Sequence, residues 1–217
     1  MSLYELDYFA ARVDPRRALM QEQEYQRMCD AWLVKIEVGL TPTRWPCVLD
    51  IGCGTGEFLD LFPVWMHRFG IEESAYATKI SERRGISFDL PDGEGWADLV
   101  IMRGVLQHLP NPRAVLADAY SYLRPGGTLA ILATPNADSL VYRLHGTLPC
   151  LVPELNHWIP SPTTLSSVLA DLGFQPPQFH FPYWGTPYAR PWRDALSLLL
   201  GRPAAAPRNM FECYARR

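Results

Sequence analysis

The fold of this chain is decided by one stretch, Cys47-Val48-Leu49-Asp50-Ile51-Gly52-Cys53-Gly54-Thr55-Gly56-Glu57-Phe58, in which an apolar run ends in an acid and three alternating glycines. Val48, Leu49 and Ile51 predict a buried parallel strand. The glycines allow positive φ angles and let a ligand approach the backbone closely. We therefore expect a ligand-binding turn, followed by a helix that begins near Gly56 and directs its N–H groups at the ligand.

The glycine spacing separates this turn from the phosphate-binding loops. Dinucleotide-binding turns read G-x-G-x-x-G, and nucleoside triphosphate loops read G-x-x-x-x-G-K-[ST]. Here the third glycine is Gly56, the next residue is Glu57, and no lysine follows. A carboxylate at this position would repel a pyrophosphate. With Asp50 inside the turn, the pattern favours a ligand that has a cationic or amino-bearing end and no phosphate.

The segment Asp50–Gly56 resembles the first motif of class I methyltransferases, which use S-adenosyl-L-methionine (SAM) and release S-adenosyl-L-homocysteine (SAH). In that family the motif holds the amino-acid part of the cofactor. The resemblance covers roughly Pro46–Phe174 and implies SAM as the cofactor. It assigns cofactor binding to the following residues of the turn: Asp50, Gly52, Cys53, Gly54 and Gly56.

An acid follows the second predicted strand, Val64–Ile71. Glu72 lies about 20 residues beyond Gly52. A carboxylate at that offset can accept hydrogen bonds from both ribose hydroxyls, as the acid of dinucleotide folds does. The segment Gly70–Ser74 resembles the G-I-E-P-S turn of the same family, with Glu73 where proline is common. Glu72 is therefore a further cofactor-binding candidate.

Two more polar residues follow predicted strands. Asp89 comes near the end of the strand Ile86–Leu90, where the family often has an acid that accepts from the adenine amino group. An acid before Pro91 is also ordinary turn chemistry. Arg103 follows the predicted strand Ala97–Met102. Because ligands of doubly wound sheets bind at the carboxyl ends of the strands, we expect both residues to share one cofactor crevice with the glycine turn.

The segment Arg103–Pro112 resembles the V-L-E-H-L-x-x-P stretch of small-molecule methyltransferases, which faces the active site in that family. Gln107 replaces the usual Glu. Some quinone-biosynthesis O-methyltransferases bind a divalent metal there through acids and a histidine. Since Arg103 and Gln107 supply no carboxylate, we expect no metal site. His108 is the leading candidate for a general base and His157 the second, and a structural role is an equal alternative for both.

Alternating strands and helices predict an α/β fold with a doubly wound, Rossmann-like parallel sheet. The resemblance implies seven strands, of which the last is antiparallel, and Met210–Ala215 is the candidate for that strand. At the N-terminus, Asp14 and Pro15 predict the start of a helix over Arg16–Glu37. The side chains of Tyr4, Tyr8 and Arg12 are expected to be packing or solvated residues, with a position over the cofactor as the alternative.

The chain is predicted to form a single domain with a helical cap. Residues 1–45 form an N-terminal helical segment, and residues 46–217 form the SAM-binding domain, with a cap insertion around 137–160 and a proline-rich lid around 185–207. The amphipathic helix Trp192–Leu200 is expected to pack on the core, with an acceptor lid or a dimer surface as alternatives. An aromatic acceptor slot or ordinary core packing is predicted for four residues, Tyr142, Trp158, Tyr183 and Trp184.

Composition limits the partners. The 217 residues carry a formal net charge of −3, so the basic surface of a nucleic-acid-binding protein is absent. Five cysteines without a C-x-x-C pair indicate neither a zinc site nor a disulfide framework. The acidic N-terminus and the absence of a long apolar run predict a soluble, cytoplasmic protein without a membrane partner. We expect a monomer or a homodimer that acts on a small molecule.

The sequence thus favours a SAM-dependent methyltransferase that methylates a small-molecule acceptor at oxygen by in-line displacement. A non-catalytic SAM-binding protein with a regulatory or scaffold role remains as the alternative, because Gln107 departs from the family pattern. A nicotinamide oxidoreductase shares the acid after the second strand but fails on the glycine spacing. Nucleic-acid methylation is disfavoured, because no N/D-P-P-Y segment follows the fourth strand.

Overall fold

The computed structural model describes residues 14–30, 45–152 and 154–217. Helices and strands alternate for most of this length. The helices are α1 (Pro15–Met28), α2 (Ala75–Arg83), α3 (Pro112–Tyr122), α4 (Leu140–His145), α5 (Pro162–Asp171) and α6 (Pro191–Leu199). The strands are β1 (Cys47–Ile51), β2 (His67–Ile71), β3 (Ala97–Arg103), β4 (Leu123–Pro135), β5 (Gln178–His180) and β6 (Met210–Arg216).

The strands form a six-stranded mixed sheet in the order β2-β1-β3-β4-β6-β5. Strand β1 pairs in parallel with both β2 and β3, so that Asp50 lies between Gly70 and Ile101 in the register. Strands β5 and β6 are antiparallel to each other. The prediction of an α/β, Rossmann-like sheet is confirmed.

Seven strands were expected, and the described part of the chain forms six. Of the predicted strand Ile86–Leu90, a single parallel bridge remains, between Phe69 and Ser87. The Asp89 N–H donates a hydrogen bond to the Ser87 hydroxyl at 3.2 Å, and Pro91 has no N–H to donate. These local features compete with the ladder, which explains why the strand does not extend.

The element after the glycine turn is shorter than predicted. A helix that begins near Gly56 was expected, but a three-residue 3-10 turn forms instead, at Leu59–Leu61. Pro63 follows and cannot continue the hydrogen-bond pattern. The expectation that a helix N-terminus points at the ligand is therefore wrong for this turn. The next strand begins at His67, since the residues before it form a turn.

The predicted start of the first helix is confirmed. The Asp14 carboxylate accepts a hydrogen bond from the Arg16 N–H at 3.0 Å, and Pro15 occupies the first helical position. Helix α1 is described to Met28. Residues 31–37 of the predicted helix, and the candidates Tyr4, Tyr8 and Arg12, lie outside the described residues.

The chain divides into two compact units. The first contains the described residues up to Met102 together with Ser121–Thr128. Its core consists of the apolar residues of β1 and β3, which are almost fully buried. At the start of these strands the buried Asp98 carboxylate accepts a hydrogen bond from the Cys47 N–H at 2.8 Å and pairs with Arg124. This ion pair fixes the strand starts in a site where an unpaired carboxylate would be costly.

The second unit contains Arg103–Tyr120 and Leu129–Arg217. Its core combines buried residues of β4, β6 and α5. The rings of Tyr120 and Phe174 meet edge to face at 4.9 Å, and the Arg217 guanidinium lies over Tyr120 at 4.6 Å. The N–H of Gln175 donates to the carbonyl of Arg216 at 2.9 Å. These contacts attach the segment after α5 to the last strand.

The prediction that helix α6 packs on the core is wrong. None of its residues is buried. Its apolar side chains are largely exposed: Trp192 at 90%, Leu199 at 85% and Leu196 at 57%. The amphipathic pattern was read correctly, but the apolar side faces away from the protein. None of the described helices is long and apolar enough to cross a membrane.

Candidate functional site

The glycine turn has the conformation that its sequence requires. Gly52, Gly54 and Gly56 have φ angles of 76°, 56° and 78°, which are strained for residues with a Cβ. The N–H groups of Gly52 and Cys53 both donate to the carbonyl of Ile71, at 2.7 and 3.3 Å. The turn is thereby fastened to the end of β2, directly before Glu72.

Glu72 is oriented by the turn itself. One carboxylate oxygen accepts a hydrogen bond from the Gly54 N–H at 2.9 Å, and the other accepts from the Ser74 N–H at 2.9 Å. A carboxylate oxygen has two lone pairs, so each oxygen can accept a second hydrogen bond. The Gly54 carbonyl in turn accepts from the Ser81 hydroxyl at 2.8 Å. Glu72 therefore presents a preorganised pair of acceptors.

Two glycines of this region lie where a Cβ would overlap a neighbouring side chain. A Cβ on Gly56 would lie 2.3 Å from Ile86 Cδ1 and 3.0 Å from Ser81 Oγ. A Cβ on Gly70 would lie 2.6 Å from Cys53 Sγ. Gly56 is predicted to let a ligand approach the backbone closely. The absence of a Cβ at Gly56 also lets α2 pack against the turn. No role was predicted for Gly70. Its position in the segment Gly70–Ser74, which resembles the family turn, could have indicated one.

The carboxylates of Asp50 and Glu72 both act on the thiol of Cys53 in the turn. Asp50 is buried at the end of β1, with 2% of its surface exposed. Burial, followed by the charges of Asp50 and Glu72, raises the pKa of the Cys53 thiol well above its ordinary value. The thiol is therefore protonated at neutral pH, and the negative charges of both carboxylates act at its position. The same charges would stabilise a cationic ligand group there.

The remaining cofactor candidates are less enclosed. Asp89 is exposed and follows the single bridge at Ser87. Arg103 is half-buried at the end of β3 and belongs to the second unit. The structure thus brings Asp50, Glu72 and the glycines together, whereas Asp89 is exposed beyond the bridge at Ser87. Among the described residues, no group of three or more His, Cys, Asp or Glu side chains is arranged to hold a metal ion.

In the second unit, His108 is held by hydrogen bonds at both ring nitrogens. It ends a 3-10 turn, Leu106–His108. Its Nδ1 lies 2.8 Å from the Leu155 carbonyl, and its Nε2 lies 3.2 Å from the Gln107 side-chain nitrogen. A carbonyl only accepts, so Nδ1 carries the proton and Nε2 accepts from the amide. The lone pair that a general base needs is occupied.

Gln107 connects this turn to the loop that contains His157. Its carbonyl accepts hydrogen bonds from the N–H groups of His157 and Trp158, at 2.8 and 3.3 Å. The side chain is 8% exposed, and its Oε1 has no hydrogen-bond partner. The two predicted base candidates thus belong to one hydrogen-bonded loop pair, although the His157 ring is exposed. In the sequence, Gln107 is a replacement of the usual Glu that removes a metal ligand and leaves a non-catalytic role open, and these backbone contacts were not predicted.

The four aromatic candidates differ in exposure. Tyr183 is buried, and its hydroxyl donates to the Asp194 carboxylate at 2.9 Å. Burial and this carboxylate raise the pKa of Tyr183 to about 12. The adjacent Trp184 meets Tyr183 edge to face at 5.0 Å and is 72% exposed. The other two, Tyr142 and Trp158, are half-buried.

Residues 12–178 match the model of a methyltransferase domain. The chain belongs to this methyltransferase family. It is therefore a class I, SAM-dependent methyltransferase domain, as the glycine turn and Glu72 predicted, and the family cofactor is SAM. The structure agrees with that of the plantazolicin methyltransferase BpumL in complex with SAH, with a TM-score of 0.57, 14% identity, and coverage of 97% of this chain and 88% of that one. At this identity the comparison shows the shared fold.

Two curated relatives are similar in sequence over part of their length. The trans-aconitate 2-methyltransferase of Deinococcus radiodurans is 34% identical over 107 residues, which cover 45% of this chain and 41% of the relative. The malonyl-[acyl-carrier protein] O-methyltransferase of Paenibacillus sp. is 29% identical over 168 residues, or 59% of this chain and 55% of the relative. The methyltransferase domain described here thus spans about half the length of these relatives.

Proposed function

We propose that this protein transfers the methyl group of SAM to an oxygen of a small acceptor, and that the acceptor oxygen belongs to a carboxylate. The first unit binds the cofactor through the glycine turn. The acceptor role is assigned to the segment Arg103–Pro112, which resembles the family stretch that faces the active site. The observation that carries the choice of acceptor is the hydrogen bonding of His108.

The cofactor role of the first unit is supported by charge and by preorganisation. SAM carries a sulfonium and an ammonium group, and the field of Asp50 and Glu72 favours positive charge. Glu72 has acceptor lone pairs in fixed directions for a pair of hydroxyls, such as those of a ribose. In-line methyl transfer depends mainly on holding donor and acceptor in position. Rigid binding of SAM would therefore supply much of the catalysis.

The acceptor class is supported by what His108 does. Both of its ring nitrogens take part in hydrogen bonds within the protein. A phenol or an alcohol needs a base to remove its proton, whereas a carboxylate is already ionised at neutral pH, with a pKa of about 4. An enzyme whose leading base candidate is engaged in this way is therefore suited to esterify carboxylates. Trans-aconitate and malonyl groups, which occur in the names of the two relatives, both carry free carboxylates.

The test is methyl transfer from radiolabelled SAM to matched panels of small carboxylic acids, phenols and amines. Carboxyl methyl esters release methanol in mild base, so volatile counts identify the acceptor atom. With a carboxylic acid, we expect transfer that is nearly independent of pH between about pH 6 and 9. A rate that rises through this range would indicate a titrating base or acceptor and would contradict the carboxylate proposal.

The experiment also separates catalysis from mere binding. Calorimetric titration with SAH measures cofactor binding without turnover. Binding of SAH together with SAM consumption that exceeds the background of the Glu72→Ala variant supports an enzyme. Binding of SAH with no transfer to any of the three panels would instead favour a regulatory or scaffold role.

A further inference from the structure

The second unit contains a helix whose apolar face is exposed on the surface. On α6, Trp192, Leu196 and Leu199 follow each other at spacings of four and three residues, and Leu200 comes directly after the helix. At 3.6 residues per turn these side chains lie on one face. All four are exposed, between 57% and 90%. We call them the α6 outer face.

The opposite side of the same helix is the side that is attached to the protein. The Asp194 carboxylate accepts hydrogen bonds from the Tyr183 hydroxyl at 2.9 Å and from the Arg190 N–H at 2.8 Å. Leu198 is half-buried on that side. Of these two bonds, the one from Arg190 lies within the helix start, and the one from the Tyr183 hydroxyl attaches the polar side of the helix to the preceding segment, while the apolar face lies outward. Exposure of this kind marks an interaction surface.

Charge indicates what this surface meets. Residues 190–202 contain three arginines, Arg190, Arg193 and Arg202, but a single acid, Asp194, which is engaged inside the protein. The chain as a whole has a formal net charge of −3, so this segment is a local cationic site. Two further exposed aromatic residues precede the helix: Trp184 and Tyr188. Leucines on one face, flanking arginines, and Trp and Tyr beside them are the features of a helix that lies on a lipid surface.

We propose that the α6 outer face docks the protein on an anionic phospholipid surface. The leucines and Trp192 enter the boundary between headgroups and acyl chains, and Arg193 and Arg202 contact the lipid phosphates. A second copy of the chain fits less well. Pairing two α6 helices across a two-fold axis would bring the arginines of both copies together, and the segment offers no outward acid to pair with them. This proposal departs from the expectation of no membrane partner.

The test uses the full chain without SAM, so that it is independent of methyl transfer. Flotation with vesicles of phosphatidylcholine alone is compared with flotation on vesicles that also contain phosphatidylglycerol. We expect binding to the anionic vesicles, weakened by added salt. We also expect Leu199→Glu to lower the partition coefficient at least about tenfold and Arg193→Glu to lower it severalfold.

The matched control is Val64→Glu. Val64 is 86% exposed in the loop between β1 and β2 and lies outside the α6 outer face. Since all three substituted side chains are exposed, circular dichroism should show the same fold and melting for each variant. Failure of the wild type to float with anionic vesicles overturns the proposal, as does an equal loss in the Val64→Glu control. A dimer detected by light scattering that disappears in Leu199→Glu would assign this face to a second copy and overturn it as well.

Discussion

At the scale of single residues, Glu72 gives the sharpest prediction. Its two oxygens accept hydrogen bonds from the N–H groups of Gly54 and Ser74. In Glu72→Gln, one of these N–H donors would face an amide NH₂, and the negative charge is lost. Hydrogen bonds to a charged group contribute about 1.5–3 kcal/mol. We expect SAH affinity, measured by calorimetric titration, to fall roughly 10- to 150-fold.

The neighbouring acid provides the control for this measurement. Glu73 is exposed, and the same substitution at that position removes the same charge from the same turn. We expect Glu73→Gln to bind SAH within about threefold of wild type, since an exposed charge is screened by solvent. Equal losses in the two variants would show that only net charge matters and would contradict the specific role of Glu72.

His108 and Gln107 lead to a prediction about stability. Replacing His108 by Ala removes the hydrogen bond to the Leu155 carbonyl and leaves the Gln107 amide without its acceptor. We expect the free energy of unfolding to fall by about 1–3 kcal/mol, the cost of an unsatisfied buried group. Gln107→Met also removes the unpartnered Oε1, and it keeps the backbone hydrogen bonds from His157 and Trp158. We therefore expect this substitution to lower the free energy of unfolding by less than about 1 kcal/mol. Urea denaturation compares the two, and the reverse order would contradict the assigned tautomer.

At the scale of elements, the packing of the turn on α2 can be separated from backbone strain. Gly56 and Gly93 have nearly equal φ angles, 78° and 82°. A Cβ on Gly93 would meet nothing within 4 Å, whereas on Gly56 it would overlap the Ile86 side chain. We expect Gly93→Ala to lower the free energy of unfolding by about 1 kcal/mol and Gly56→Ala to lower it by about 1–3 kcal/mol more. Equal losses would mean that Ile86 moves aside without cost.

The same elements show what the sequence can predict. The turn and Glu72 were predictable because a strand, a glycine spacing and an acid at a fixed offset are local properties of the chain. The contact between His108 and Leu155 joins residues far apart in sequence, and no local pattern encodes it. The length of the strand Ile86–Leu90 depended on whether the Ser87 hydroxyl competes for a backbone donor. In α6, periodicity predicted a two-sided helix but contained no information about which side faces inward.

At the scale of the whole molecule, ligand binding should be visible as stability. A ligand that binds only the folded state adds about 2.7 kcal/mol at a concentration 100 times its Kd. For a domain of this size, about 1 kcal/mol corresponds to a shift in Tm of roughly 2–4 °C. We therefore expect saturating SAH to raise Tm by about 5–10 °C in scanning calorimetry. The glycine turn and Glu72 belong to the first of the two compact units, so we expect SAH to stabilise that unit directly.

The form of the calorimetric transition carries further information. If the two units unfold together, SAH moves a single peak; if they unfold separately, only the peak of the first unit shifts, because linkage acts on the unit that binds. Glu72→Gln should lose most of the shift at the same SAH concentration, measured from its own ligand-free Tm, which the lost hydrogen bond from Gly54 or Ser74 lowers. NADH, added at the same concentration, should leave Tm unchanged, because the glycine spacing and Glu57 disfavour a pyrophosphate. An equal shift with NADH would contradict the assignment of this turn to SAM.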